Sequence, residues 1–190
     1  MMEINELKVQ AKINIKGHIG IWFVTMLLYT AVLSVAEFIP YVGFIITALL
    51  VPIFTLGIDC MLLDEAKGND IAIGDLFGQF NQWWSAYKVM FLTGLFTFLW
   101  SLLLVIPGII KGYAYSMAMY ILAENPEIGA REALRRSQEM MDGHKLELFC
   151  LHLSFIGWHL LAIITFGIAY VWVMPYINAT VTNFYNDIKN

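Results

Sequence analysis

The sequence predicts an all-α, polytopic membrane helix bundle: about six transmembrane helices in three hairpins, with cytoplasmic amphipathic helices. Three observations carry that expectation. Hydrophobic residues make up 59% of the 190 residues and charged ones only 14%, with a mean hydropathy of +0.69, whereas soluble domains are roughly 45–50% apolar. So few polar groups cannot cover a water-facing surface, so the excess must face lipid. Uncharged runs long enough to cross a bilayer recur along the chain. Finally, ten of the eleven basic residues fall in segments that six spans would leave on one side, which puts both termini in the cytoplasm.

The chain reads as a single integral membrane domain over residues 1–190. Residues 1–16 form a polar helix in which Ile4, Leu7, Ala11 and Ile15 make one stripe, with Lys8, Lys12 and Lys16 as a basic row beside it. That pattern fits a helix on the membrane surface, and equally a cytoplasmic cap. The first apolar run lacks a small-residue cleavage site and is long enough to span, so no cleavable leader is expected.

Residues 19–63 form the first hairpin. Its arms, 19–36 and 38–58, are uncharged and break at Glu37-Phe38-Ile39-Pro40. Pro52 lies inside the second arm, where neighbouring groups re-satisfy the freed carbonyl. Residues 64–88 are a cytoplasmic loop with a turn at Lys67-Gly68-Asn69-Asp70 and with Trp83, Trp84 and Tyr87 at headgroup depth. Residues 89–123 form the second hairpin, turning at Pro107-Gly108 into the short arm 109–123, whose Lys111 snorkels to the outer interface. Residues 147–186 form the third. The stretch 148–185 has no charge over 38 residues, twice the length of one span, so it folds back, at Thr165-Phe166-Gly167.

Residues 125–143 read as a cytoplasmic amphipathic helix, with Asn125 as N-cap, Pro126 in the first helical position and Gly143 just past the end. Ala130, Ala133, Leu134, Ser137, Met140 and Met141 share one face; Arg131, Glu132, Arg135, Arg136, Gln138, Glu139 and Asp142 take the other. Glu127/Arg131, Glu132/Arg136 and Arg135/Glu139 are i,i+4 pairs worth about 0.3 kcal/mol each. Arg131, Arg135 and Arg136 are candidate contacts for a protein partner or lipid headgroups; a connecting helix with a solvated charged face uses the same pattern. The three hairpins also look like repeats: Lys16-Gly17-His18 and Asp142-Gly143-His144 lie two steps of about 63 residues apart, and Ile39-Pro40 and Ile106-Pro107 mark equivalent turns.

Several segments together carry a family resemblance. They are Glu6-Leu7-Lys8 through Gly17; Trp100 through Ile106-Pro107-Gly108-Ile109-Ile110-Lys111; Tyr113-Ala114-Tyr115-Ser116-Met117; Asn125-Pro126 with Glu132-Ala133-Leu134 and Ser137; Gly143-His144-Lys145 with Glu147-Leu148-Phe149; Leu153 through Trp158; and Pro175-Tyr176. With these motifs the chain resembles the bacterial integral membrane proteins of domain-of-unknown-function family nine hundred and seventy-five. The Asn-Pro…Glu-Ala-Leu…Ser…Gly pattern is also similar to membrane domains found beside glycerophosphodiester phosphodiesterases. The resemblance implies a six-helix protein of the bacterial plasma membrane and transfers no catalytic residue.

No nucleophile elbow, zinc-protease helix, phosphate-binding loop or dinucleotide fingerprint occurs, so no enzyme, cofactor or metal is expected. The net charge of −4 and the lack of a basic aromatic patch argue against nucleic acid. Cys60 and Cys150 sit in apolar context and read as buried free thiols. The candidate intramembrane polar site is Asp59, Tyr115, His152 and His159, because ionisable groups at membrane depth face a bundle interior or water. Asp59 sits near the inner end of its segment, where hydration also accounts for it. His152 and His159 share a helix face about 10.5 Å apart, too far for one metal ion. Tyr113, Tyr115, Ser116 and Tyr120 make a polar face that serves helix–helix hydrogen bonding or lines an amphipathic ligand.

Three functions compete. A non-enzymatic scaffold or accessory subunit, docking a membrane or cytoplasmic protein through the helix at 125–143, is the first. A transporter or lipid-handling protein with a polar cavity in the bundle is the alternative. An intramembrane enzyme, resting on Asp59, His152 and His159, is the third.

Overall fold

The computed structural model describes residues 2–37, 43–165 and 167–189, the side chains of Ala36, Glu37 and Leu103 apart. Among them are ten α-helices and no strand: α1 (Ile4–Lys16), α2 (Ile19–Glu37), α3 (Gly43–Ala66), α4 (Trp83–Leu103), α5 (Val105–Tyr115), α6 (Ala118–Glu124), α7 (Ala130–Met140), α8 (Lys145–Leu153), α9 (Ile156–Ile164) and α10 (Tyr170–Lys189). Two short 3-10 turns, Ile73–Phe77 and Phe80–Gln82, lead into α4.

The all-helical expectation holds. Gly43–Ala66, Ile73–Leu102, Val105–Glu124 and Lys145–Ile164 are each long and apolar enough to cross a membrane, and α1 with α2 passes as a fifth if that pair, bent by 90°, is one span. Of the expected six, α10 stands apart. It has 20 residues, but its apolar run is interrupted by Asn178, Thr180, Thr182 and Asn183. The reason is position: α10 packs against α1, α2, α3 and α9, and Thr180, Thr182 and Asn183 are buried. A helix surrounded by protein need not be apolar all round.

Apolar exposure gathers at the hairpin ends. Phe44, Leu102, Val105, Ile106, Ile164 and Ile168 are all at least 69% exposed, and a surface of this kind suits acyl chains. The closed core lies towards the other end, where Leu7, Leu56, Leu63, Leu122, Leu134, Leu148 and Tyr185 pack together. The first hairpin turn, with Ile39-Pro40, lies outside the described residues, as does Phe166 of the third. The break at Leu104 and the turn around Gly167 keep close to the expected repeat step.

Several bounds move from their expected places, each for a physical reason. Asp59 does not end its helix: α3 continues to Ala66 because Met61, Leu62, Leu63 and Glu65 are buried by neighbouring helices. α4 begins at Trp83, a turn and a half before the apolar run. The second hairpin turns at Leu104, in extended conformation (φ −158°, ψ 139°), and Pro107-Gly108 lies in the first turn of α5, where proline's missing N–H leaves no bond unmade. α5 and α6 together give 20 residues, about 30 Å of helix, so the short arm is long enough after all. α7 is only Ala130–Met140, with Gly129 as N-cap. Asn125 instead closes α6, its backbone and side-chain N–H groups both donating to the Ile121 carbonyl at 3.0 and 3.2 Å. Gly143 takes the expected positive φ of 85°.

α1 is neither a free surface helix nor a loose cap. Leu7 and Ala11 are fully buried. Asn183 donates to the Leu7 carbonyl at 3.3 Å, Lys8 donates to the Ser154 carbonyl at 3.2 Å, and the Lys8 and Lys12 ammonium groups sit over the rings of Phe155 and Tyr176. Lys111 lies over the Trp100 ring, 5.3 Å from its centroid, about two turns from the hairpin tip at Leu104.

The closest approach in the second hairpin is at Gly108, where an added Cβ would collide with the Cα, Cβ and Oγ of Ser101. Gly108→Ala should therefore force α4 and α5 apart and cost about 1–3 kcal/mol, measured as a lowered thermal unfolding midpoint in detergent.

Candidate functional site: a polar cavity inside the bundle

Asp59 projects from the middle of α3 and is 7% exposed. It lines a cavity of about 420 Å³ together with Tyr29, Ser116, Tyr120, His152 and Asn178. Met26, Met119 and Met174 complete much of the apolar wall. The side chains come from α2, α3, α8, α10 and the α5–α6 junction, so no single stretch of sequence contains the site.

The junction is held open deliberately by α7. The Ser137 hydroxyl donates to the Ala114 carbonyl at 2.8 Å and accepts the Met117 backbone N–H at 3.1 Å. It thereby satisfies two groups that the helix break leaves over, and it fixes Ser116 at the cavity wall. The expected apolar face of this helix is the one that packs: Ala130, Ala133, Leu134, Ser137 and Met141 are buried.

A second cavity, of about 340 Å³, lies against the first. Thr97, Ser101 and Tyr113 line it, and Ser116 and His152 belong to both walls. The Thr97 hydroxyl is buried without a hydrogen-bond partner. Hydroxyl, imidazole and carboxylate groups thus follow one another from between α4 and α5 to Asp59.

Two buried carboxylates on α3 contrast sharply. Glu65, 5% exposed, accepts the Trp22 indole N–H at 3.0 Å from each oxygen and pairs with His18 Nδ1 at 3.1 Å. It fastens the bend between α1 and α2 to the end of α3. Asp59 has no hydrogen bond and no ion pair among the described residues. Such a buried carboxylate costs stability rather than supplying it, and residues of that kind collect at functional sites.

Of the four expected site residues, the structure brings Asp59 and His152 to one cavity and leaves two elsewhere. Tyr115 is buried with its ring against Phe96 of α4 and does not line the cavity. His159 lies a turn and more along α9, with Nδ1 3.1 Å from the Tyr170 hydroxyl. The Glu37 side chain lies outside the described residues. Ser116 and Tyr120 line the cavity as their polar face allowed, whereas Tyr29 and Asn178 were not singled out as site residues. Among the described residues no three His, Cys, Asp or Glu side chains gather as a metal ion would require. Cys60 is half-buried, and Cys150, expected to be buried, is exposed.

The candidate docking arginines are largely committed to their own helix. Arg135 donates to Glu132 at 2.6 and 2.7 Å and to Glu139, and Arg136 donates to Glu132 at 3.0 Å. Hydrogen bonds from Arg135 and Arg136 hold the Glu132 carboxyl down at about 2. Arg131 is exposed and makes no ion pair among the described residues; the expected Glu127 partner lies in the turn before α7.

The architecture defines an all-helical protein whose long apolar helices suit a membrane. Residues 101–190 match the family model described as Protein of unknown function (DUF975), so that part of the chain is similar to the family its motifs resemble. No curated protein and no solved structure matches the chain.

The two carboxylates should respond oppositely to substitution. Glu65→Leu strands the Trp22 and His18 donors and should lower stability by about 2–3 kcal/mol. Asp59→Asn breaks no contact and should leave the thermal unfolding midpoint unchanged or raise it, both variants being measured in the same detergent.

Proposed function

We propose that the protein is a multi-pass protein of the bacterial plasma membrane, with both termini cytoplasmic, that binds a small amphipathic molecule in the cavity around Asp59. It is a transport or lipid-handling protein rather than an enzyme. The observation that carries this is the cavity itself: a buried carboxylate without a partner, sharing a wall with His152 and Ser116 and continuing into a second hydroxyl-lined space. A volume of about 420 Å³ falls within the roughly 300–1,000 Å³ of small-molecule sites. Met174, which lines it, is also 39% exposed, so the cavity borders the apolar outer surface. The scaffold reading draws on Arg131, Arg135 and Arg136, and two of these three already have acidic partners on α7. The orientation rests on the one-sided basic residues.

In phosphatidylcholine nanodiscs, at least one of decanoate, decanol and decylamine should raise the thermal unfolding midpoint saturably. Thr55→Trp, which fills the cavity, should abolish that shift. No saturable shift with any of the three would end the proposal. For orientation, a fluorescent protein fused to the C-terminus should be bright in the cell, and a phosphatase active only outside should be silent there.

A further inference from the structure

Resting on the reading of the Asp59 cavity as a ligand site, we infer that its ligand is a cation: an amphipathic alkyl amine whose ammonium group pairs with Asp59.

The charge argument comes first. Asp59 is 93% removed from solvent and has no hydrogen-bond or ion-pair partner among the described residues. A carboxylate in that position is strongly favoured by an opposite charge brought to it. The protein does not supply one. The nearest basic groups by position on α3's inner end are engaged elsewhere: His18 with Glu65, and Lys67 and Lys189 with Glu124. His152 lines the same cavity but makes no hydrogen bond with Asp59; its ring packs on Tyr113.

The rest of the lining also suits a cation with a greasy body. Tyr29 and Tyr120 present aromatic rings, which attract ammonium groups through their π faces. Met26, Met119 and Met174 are polarizable and adapt to an alkyl chain. The wall contains no Lys or Arg, so an anionic headgroup would meet Asp59 unopposed. A bare metal ion is a poor fit. The space is far larger than one ion, and no second carboxylate and no thiol lines it.

The geometry orders the ligand. Asp59 is buried, whereas Met174 on the same wall is 39% exposed on the apolar surface. The ammonium group therefore sits deep and the alkyl chain points outward, towards the bilayer.

The test compares isosteric probes on the full-length protein in uncharged phosphatidylcholine nanodiscs: decylamine, decanol and decanoate, with calorimetric affinity and unfolding midpoint as readouts. Decylamine should bind at least tenfold more tightly than decanol, and decanoate should bind weakest. Asp59→Asn should erase the preference for decylamine over decanol. Equal binding of decylamine and decanol to the wild type, or a preference for decanoate, overturns the cation inference and leaves the amphipath site standing. Absence of saturable binding by all three overturns both. The comparison of probes on the wild type decides the matter even if the variant does not fold.

Discussion

In hydrocarbon no water is present to take up a free amide, so each backbone N–H and C=O must find its partner inside the protein. That constraint governs where this bundle may bend. The turn at Leu104 leaves over groups that α5 can spare, because Pro107 has no N–H to satisfy. The break between α5 and α6 is closed from outside by the Ser137 hydroxyl. The kink between α8 and α9 is closed by the Ser154 hydroxyl bonding back to Leu151 and by Lys8 donating to the Ser154 carbonyl. At the third tip, Thr165 and Gly167 return bonds to Leu161 and Ala162. At the α5–α6 and α8–α9 breaks another residue lends a donor or acceptor, and the cavity borders the first of these, where Ser116 and Tyr120 share its lining with α3.

Much of the fold was legible because lipid makes strong demands on composition. Uncharged stretches located the long apolar helices, and the period of Ala130, Ala133, Leu134 and Ser137 identified the packing face of α7. The misplacements share one cause: local signals were taken as boundaries where tertiary burial decided. Asp59 read as the end of a span because charge usually marks the headgroup region; here the helix simply continues, and the charge is buried. Pro107-Gly108 read as a turn, although proline is equally at home in the opening turn of a helix. Asn125-Pro126 read as a helix start, although asparagine can also finish the helix before it.

The cavity was less legible. Asp59 and His152 lie 93 positions apart in the chain, and nothing in a linear pattern says that α3 and α8 face one another across α10. Tyr29 and Asn178 have no distinguishing neighbours in sequence. Tyr115 was grouped with Ser116 and Tyr120, yet one residue along a helix rotates the side chain by about 100°, and that rotation turns it to Phe96 instead. The polar residues of α10, Asn178, Thr180, Thr182 and Asn183, interrupt an otherwise apolar run. They are the signature of a helix that meets protein along most of its length.

That central place of α10 sets the order of biogenesis. The ribosome releases this helix after all the others, yet α1, α2 and α3 each rest on it. Until it arrives, α3, α4, α6 and α7 can already pack on one another, but α1 lacks the helix it rests on most, so closure of the bundle comes late. The helix made latest of these ten acts as their keystone.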